Sequence, residues 1–334
     1  MSTNGGEPLK VVPVRHYGQW VAAAIAMVLV AMLIHTLLSK VPDGHYVCSG
    51  PASARHCAPQ LTWRFGWNVV GQYFTSSEVL HGLLLTLELT VIAMAAGIVI
   101  GVAVAIMRLS SNRLLSTTAW LYTWFFRGTP VYVQILLWFN IGALYYNLRL
   151  GVPFLHYDFF HVTSDSLFTP FTAGIFALGL NEGAYMSEIA RSGLISVDEG
   201  QIEAATSIGM TRAQTLRLVI LPQAMRVIIP PTGNEVISML KTTSLLSAAG
   251  VIELLGAVSN ISATNYEVIQ LLITASLWYL IFTTVLSTGQ FYLERHFAKG
   301  ALRTPPPTPL QRVRTDLRGI LAKFRMHQDV PRTT

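Results

Sequence analysis

Glu203 to Ala224 reads EAATSIGMTRAQTLRLVILPQA. The stretch begins with small and polar residues, turns apolar, and is cut by Leu221-Pro222. Apolar runs flank it on both sides, so it interrupts a chain otherwise patterned for lipid. The 334 residues are 52% hydrophobic and 12% charged, against roughly a quarter charged in an ordinary soluble domain. A hydrocarbon core of about 30 Å takes roughly 20 helical residues to cross. Runs of that length occur at 19–39, 80–107, 117–146, 169–195, 217–240 and 267–290. The pattern predicts an all-α, polytopic membrane bundle of about six helices.

The first run follows Lys10 and Arg15 but is longer than the apolar core of a secretory signal, and HTLLSKVPDG after it offers no small-x-small cleavage site. It reads as a retained anchor. Six crossings divide the 23 Lys and Arg residues unevenly. Seventeen fall with the two termini, the 108–113 segment and the region around the quoted stretch (Arg191, Arg212, Arg217, Arg226); five (Lys40, Arg55, Arg64, Arg149, Lys241) fall opposite, and Arg127 lies inside a span. The positive-inside bias puts both termini and the quoted stretch in the cytoplasm. The net charge of +6 comes mostly from the tail, where a membrane-facing basic segment accounts for it without nucleic acid.

Cys48 and Cys57 sit in the first outward loop, VCSGPASARHC. Short, flexible spacing and an oxidising compartment favour a disulfide, the alternative being two free thiols. No metal site is expected, since only His45 and His56 lie near and no H-E-x-x-H occurs. Beyond residue 300, RTPPPTP reads as an extended spacer. Leu310, Val313, Leu317, Ile320, Leu321 and Phe324 then recur at helical spacing between basic residues, as in a helix lying on the inner membrane surface or a solvated tail.

In a cytoplasmic loop, Ala204, Ala205 and Gly209 make a short helix that another protein can approach closely, with Glu203 offering a charge at one end. It reads as a docking surface. Glu203-Ala204-Ala205, then Gly209, Val219 and Leu221-Pro222, resemble the EAA loop of importer-type ABC transporter permeases, whose pattern has Ile where this chain has Val219. FRGTPVYVQ from Phe126, LNEGAYMSEIARSGL from Leu180, LPQAMRVIIPPTGNE from Leu221 and LKTTSLLS from Leu240 resemble the polar amino acid branch of that family. The likeness runs from about residue 78 to 297. Two departures stand out: Lys241-Thr242-Thr243 where many members have Lys-Asp-Thr, and Arg191-Ser192-Gly193 where they have Arg-Gly-Gly. The resemblance implies a type I ABC importer fold, in which an N-terminal helix precedes a five-helix permease core. It also implies three partners: a pair of ATPase subunits receiving the EAA helix, a second permease subunit, identical or sister, and an extracytoplasmic solute-binding protein. The domains on this reading are an anchor and cysteine loop at 1–79, the permease at 80–297 and a basic tail at 298–334.

The chain has no G-x-x-x-x-G-K-[ST] phosphate loop and no Gly-Lys pair, so it lacks the cradle that ATP phosphates need. It is not read as an enzyme. ATP and Mg²⁺ belong to the partner ATPase, and no cofactor is expected on this chain. A path for solute needs polar groups inside the spans, where charges face a bundle interior or cavity. Arg127, Asn181, Glu182, Glu188, Arg191 and Glu235 qualify. Pro130, and Pro230-Pro231 with Gly233, remove helical hydrogen bonds beside them. Asn181, Thr129 and freed backbone N–H groups would receive a substrate carboxylate; Glu182 or Glu235 would receive its ammonium. Packing is the competing role for Glu182. Interhelical hydrogen bonding is favoured for Glu235 and Arg127, an i, i+3 ion pair for Glu188 and Arg191, and an interfacial or packing place for Glu88. Trp120, Trp124 and Trp138 read as anchors or packing groups. A secondary carrier or channel would use the same charges but has no use for a docking helix. A membrane enzyme would need a catalytic constellation that is missing.

Overall fold

A computed structural model describes residues 17–49, 56–63, 65–145, 147–151, 158–297 and 315. Helix α1 (Tyr17–Leu38) leads into a hairpin of β1 (Lys40–Ser49) and β2 (His56–Trp63), followed by α2 (Trp67–Phe74) and α3 (Ser77–Arg108). Next come α4 (Arg113–Gly128), α5 (Val131–Phe139) and the short α6 (Ile141–Leu144). A second hairpin, β3 (Asn147–Gly151) with β4 (Asp158–Thr163), and the turn α7 (Ser164–Leu167) precede α8 (Pro170–Ile195). The quoted stretch spans most of α9 (Glu199–Ser207), α10 (Arg212–Gln214), a π turn (Thr215–Ile220) and the start of α11 (Leu221–Thr242). A 3-10 segment (Thr243–Ala249), α12 (Leu254–Asn265) and α13 (Val268–Phe297) complete the order.

Helix starts follow their capping residues. Ser76 accepts from the Val79 amide at the head of α3, and Asn112 Oδ1 accepts from Leu114 at 2.9 Å at the head of α4. Thr169 caps α8, with Pro170 in the first turn, where a missing N–H costs nothing.

The main contact is α3 against α8. Gly97 and Gly101 on α3 meet Glu182 and Met186 of α8, and Gly179 and Gly183 on α8 meet Ala96 and Ile100 of α3. A Cβ added at Gly101 would lie 2.5 Å from Met186 Cβ, and one at Gly97 2.5 Å from Glu182 Cγ. In lipid, where apolar burial does not drive association, such small-residue seams let helices approach and gain dispersion contacts. Around the seam, Leu89, Met94, Ile135, Leu178, Met186, Met239, Leu246 and Val251 form one core. Val79, Leu83, Leu254, Val258 and Leu271 form a second, between α3, α12 and α13.

All six expected runs are helical where described, but among the described residues only three helices, at Val21–Leu38, Ser77–Arg108 and Val268–Phe297, are long and apolar enough to cross a membrane alone. The third expected run is broken into α4 and α5 at Thr129-Pro130, the fourth carries the polar groups of α8, and the fifth bends by 45° into α12. Helix α11 continues through Pro230 and Pro231 rather than breaking there. Neither hairpin nor α12 was anticipated from the sequence. The β1–β2 register sets the Cys48 backbone opposite Cys57, while both side chains and the Leu310 to Phe324 segment, Thr315 apart, lie outside the described residues.

Candidate functional site

The docking stretch is built by local capping. Asp198 accepts from Gly200 N at 2.8 Å to start α9. At its end Gly209 N–H donates to Thr206 O at 2.9 Å and Met210 N–H to Ala205 O at 3.1 Å, the paired bonds of a Schellman cap. That cap needs a left-handed residue, and Gly209 has φ +82°. Thr211 and Gln214 then form a reciprocal capping box for α10. Leu221 N–H reaches back five residues to Leu216 O. The widened turn accommodates Pro222, whose ring opposes the carbonyl four residues earlier in a regular helix, and Gln223 Nε2 takes up Val219 O at 3.0 Å.

The expected surface is therefore corrected in two places. Ala205 is small because it faces inward and is buried, α9 packing back on the π turn. Gly209 serves the cap: nothing lies within 4 Å of an added Cβ, but its φ strains any other residue, so Gly209→Ala destabilises the loop where propensity alone predicts a gain. Glu203 and Ala204 are exposed, as is Ile208, at 79% the most solvent-facing large apolar residue of the stretch. Sequence reading passed over Ile208 because single exposed apolar residues are common.

Within the bundle, Pro130 has no N–H to give Phe126 O, four residues earlier. Two amides repair the loss: Asn181 Nδ2 donates to Phe126 O at 2.8 Å and Gln134 Nε2 at 3.0 Å. Gln134 also donates to Thr129 Oγ1 at 2.7 Å, and its Oε1 accepts from Asn181 at 3.2 Å. Thr129 and Asn181, expected to face a substrate carboxylate, thus have their hydrogen bonds taken up in holding α4, α5 and α8 together. Gln134, 2% exposed, completes this set and was missed because a lone Gln in an apolar run gives no pattern.

The charged groups lie close by. Arg127 is exposed on α4, its Cζ 5.2 Å above the Tyr185 ring. It borders an open groove of about 360 Å³ with Arg108, Trp124, Tyr185 and Glu188. Glu235 on α11 is within electrostatic reach of Arg127 and of Glu182. Glu182 is 4% exposed, pressed against Gly97, and its Oε1 is buried without a hydrogen-bond partner. Glu188 and Arg191 form the expected ion pair at 2.7 Å, and Arg108 joins Glu188 at 3.7 Å. Glu88 is exposed on α3 instead of packed. Trp120 stacks on Trp124, and Trp138 stacks on Phe168 and Phe176.

One carboxylate escaped the sequence reading altogether. Glu253, fully buried, caps α12: Oε1 accepts from Gly256 N at 2.8 Å, and Oε2 from Leu255 N at 2.9 Å and Tyr279 OH at 3.1 Å. A lone Glu outside every recognised motif gives no signal in sequence.

Comparison with known proteins places this arrangement. The sequence matches the family described as binding-protein-dependent transport system inner membrane component over residues 97–299. It is 42% identical over 304 residues to the arginine transport system permease protein ArgU of Corynebacterium glutamicum, covering 91% of this chain and 87% of that protein. It is 33% identical to the glutamine transport system permease protein GlnP of Escherichia coli K12, over 71% of this chain and 97% of that one. Among solved structures, an amino acid ABC transporter crystallised with histidines aligns at 33% identity and TM-score 0.58 over 68% of this chain and 98% of its own. The methionine transporter MetNI, at 18% identity and TM-score 0.52, shares the fold. With the glycine seam, the broken α4–α5 span and the exposed α9 in place, the chain belongs to the inner-membrane permease components of binding-protein-dependent ABC transport systems.

Proposed function

We propose that the chain is the permease subunit of an ATP-driven importer moving an amino acid inward across the cytoplasmic membrane, with arginine the first substrate to test. The observation that carries it is α9, a short capped helix with Glu203, Ala204 and Ile208 exposed, joined through the π turn to α11, the helix that bears Glu235. A solute pathway on one helix and a docking surface at its end form a lever that a carrier driven by an ion gradient does not require. A separate ATPase pair docks on this surface, including Leu221 and Pro222 at the foot of α11, and hydrolyses ATP with Mg²⁺. The relative named for arginine transport, similar over nearly the whole chain, supports the substrate class. A solute-binding protein delivers substrate from outside, in keeping with the family's description.

The domain division stays as read: anchor and cysteine loop at 1–79, permease at 80–297, tail at 298–334, both termini cytoplasmic. Arg127 and Glu88 support a second permease subunit. Glu88 stands eleven residues into α3, about 17 Å along it at 1.5 Å per residue, and is exposed on the single chain. A charge at that depth faces protein or water, not lipid, so another subunit or the pathway itself covers these faces. Arg127, Glu235 and Glu182 remain the groups proposed to meet substrate, with Thr129 and Asn181 as their scaffold.

The experiment is uptake of labelled arginine into proteoliposomes holding the chain with its ATPase and binding protein, competed with unlabelled amino acids. ATP-dependent accumulation competed by amino acids is expected. Uptake driven by a proton or sodium gradient, without ATP, would sink the importer reading.

A further inference from the structure

We propose that Glu253 is a positioning residue of the transport cycle, a fulcrum that fixes the outer end of α11 while its cytoplasmic end is moved. The inference rests on the docking role of α9. Helix α11 runs on from α10 and the π turn at one end, with α9 packed against that turn, and continues into the 3-10 segment at the other. A lever moved at one end does work at its middle only if the far end is held.

Beyond the far end, one carboxylate ties the following turn to three elements. Gly250, at φ +82°, turns the chain out of the 3-10 segment. Val251, which follows, belongs to the core around α3 and α8; Leu254 belongs to the core between α3, α12 and α13. Glu253 lies between these anchors, and its side chain ties three elements together. It caps α12 through the Leu255 and Gly256 amides and reaches α13 through Tyr279 OH. On α3 it meets Thr86, whose Oγ1 lies 3.4 Å from Oε2 and accepts the Leu254 amide at 3.0 Å. Backbone approach is close as well: a Cβ at Gly82 would sit 3.0 Å from Glu253 O, and one at Gly256 2.5 Å from Val251 O. The three close donors to the carboxylate, the Leu255 and Gly256 amides and Tyr279 OH, are neutral dipoles, and each is directional; the Thr86 hydroxyl proton is shared between Oε2 and Gly82 O at 3.0 Å. A buried polar set satisfied in this way specifies one geometry, because any shift leaves a donor or acceptor unpaired. The same corner packs the 3-10 segment against α5, α8 and α11, and Leu246 fits over Gly174. Glu253 thus ties α3, α12 and α13 together at the point where the chain arrives from the 3-10 segment, which itself packs on the pathway helices α8 and α11.

The test uses the full complex with its ATPase. Tyr279→Phe and Thr86→Val each remove one hydroxyl and keep the shape; Glu253→Gln turns one acceptor into a donor facing backbone N–H groups. All three should insert and retain the ATPase. ATP hydrolysis should persist while substrate moved per ATP falls, by about tenfold for Glu253→Gln and less for the hydroxyl variants. Unchanged uptake per ATP in the two hydroxyl variants overturns the proposal even if Glu253→Gln fails to insert. Amide exchange in the wild-type complex gives an independent reading. The α12 amides should stay equally protected with and without ATP while α9 and the π turn change. An α12 that changes as much as α9 overturns the fulcrum alone; an α9 indifferent to the ATPase overturns the docking reading and the fulcrum with it.

Discussion

Substitution at Gly209 separates two reasons for a glycine that sequence alone runs together: close approach of a partner, and backbone conformation. The structure gives the second directly, since φ is +82° and the residue closes the cap of α9. Holding an L-residue other than Asn or Asp in that region costs about 1–2 kcal/mol, a factor of roughly 5–30 in the population of the capped loop. Because no atom lies within 4 Å of an added Cβ, that cost is the same for Ala and Leu in the isolated chain. Any further loss on going from Ala to Leu therefore measures a surface brought up by the ATPase. Asn, which tolerates the left-handed region, should lose least. ATP-dependent uptake in proteoliposomes and the amount of co-purified ATPase should fall in the order Gly, Asn, Ala, Leu, with a clear step between the last two. Equal values for Ala and Leu would refute close approach at this position, and wild-type behaviour of Gly209→Ala would refute the strain.

Gly101→Ala should lower the melting temperature in detergent, because its Cβ meets Met186 and the α8 backbone, whereas Gly71→Ala on α2 meets nothing and should be neutral or gain up to about 1 kcal/mol of helix propensity; the reverse order would disprove the glycine seam. Gln134→Leu leaves Phe126 O with one donor fewer, at a cost of about 1–3 kcal/mol. Adding Asn181→Ala should then be non-additive in thermal denaturation, as both amides serve one carbonyl, and strict additivity would argue against a shared repair. A cysteine at position 55, in a chain whose Cys48 and Cys57 are Ser, should react with an impermeant thiol reagent from outside; labelling only after lysis would invert the topology. Glu182→Gln should keep the fold and the ATPase while weakening uptake, and unchanged kinetics would leave Glu182 a packing group.

The parts of this fold legible in sequence are those set by long-range average hydropathy. Spans at 80–107 and 267–290 were readable because a lipid-facing helix is apolar over twenty or more residues whatever its neighbours do. The break at Thr129-Pro130 was readable because proline acts locally. Helix α12 was not, since 12 residues beginning at Leu254 are too short to cross and gain their burial from α3 and α13, contacts that no local window contains. The hairpins escaped because KVPDGHYVCS and HCAPQLTW carry no clean alternation, and their pairing is a long-range choice. The Gly97-x-x-x-Gly101 and Gly179-x-x-x-Gly183 spacings were present in the text, yet each is common in apolar helices, and only their apposition gives them meaning.

Polar residues in a membrane bundle have two uses, repair and exchange with solute, and sequence alone does not separate them. The hydrogen-bond inventory does. Gln134 and Asn181 spend their amides on a carbonyl that Pro130 left unpaired, Thr129 donates to Phe125 O and accepts from Gln134, and Glu253 spends its oxygens on α12, Tyr279 and Thr86. A group so committed cannot take up a passing solute without exposing the defect it covers, which costs about 1–3 kcal/mol per bond lost. Arg127, Glu235 and Glu182 are different. Among the described residues no salt bridge closes on Arg127 or Glu235, and one oxygen of Glu182 has no partner. Leaving such groups unpaired inside a bilayer is expensive, and fold stability alone would not retain them. They are the groups with bonds left to give, clustered where α4, α8 and α11 meet, and one of them, Glu235, lies on α11 itself.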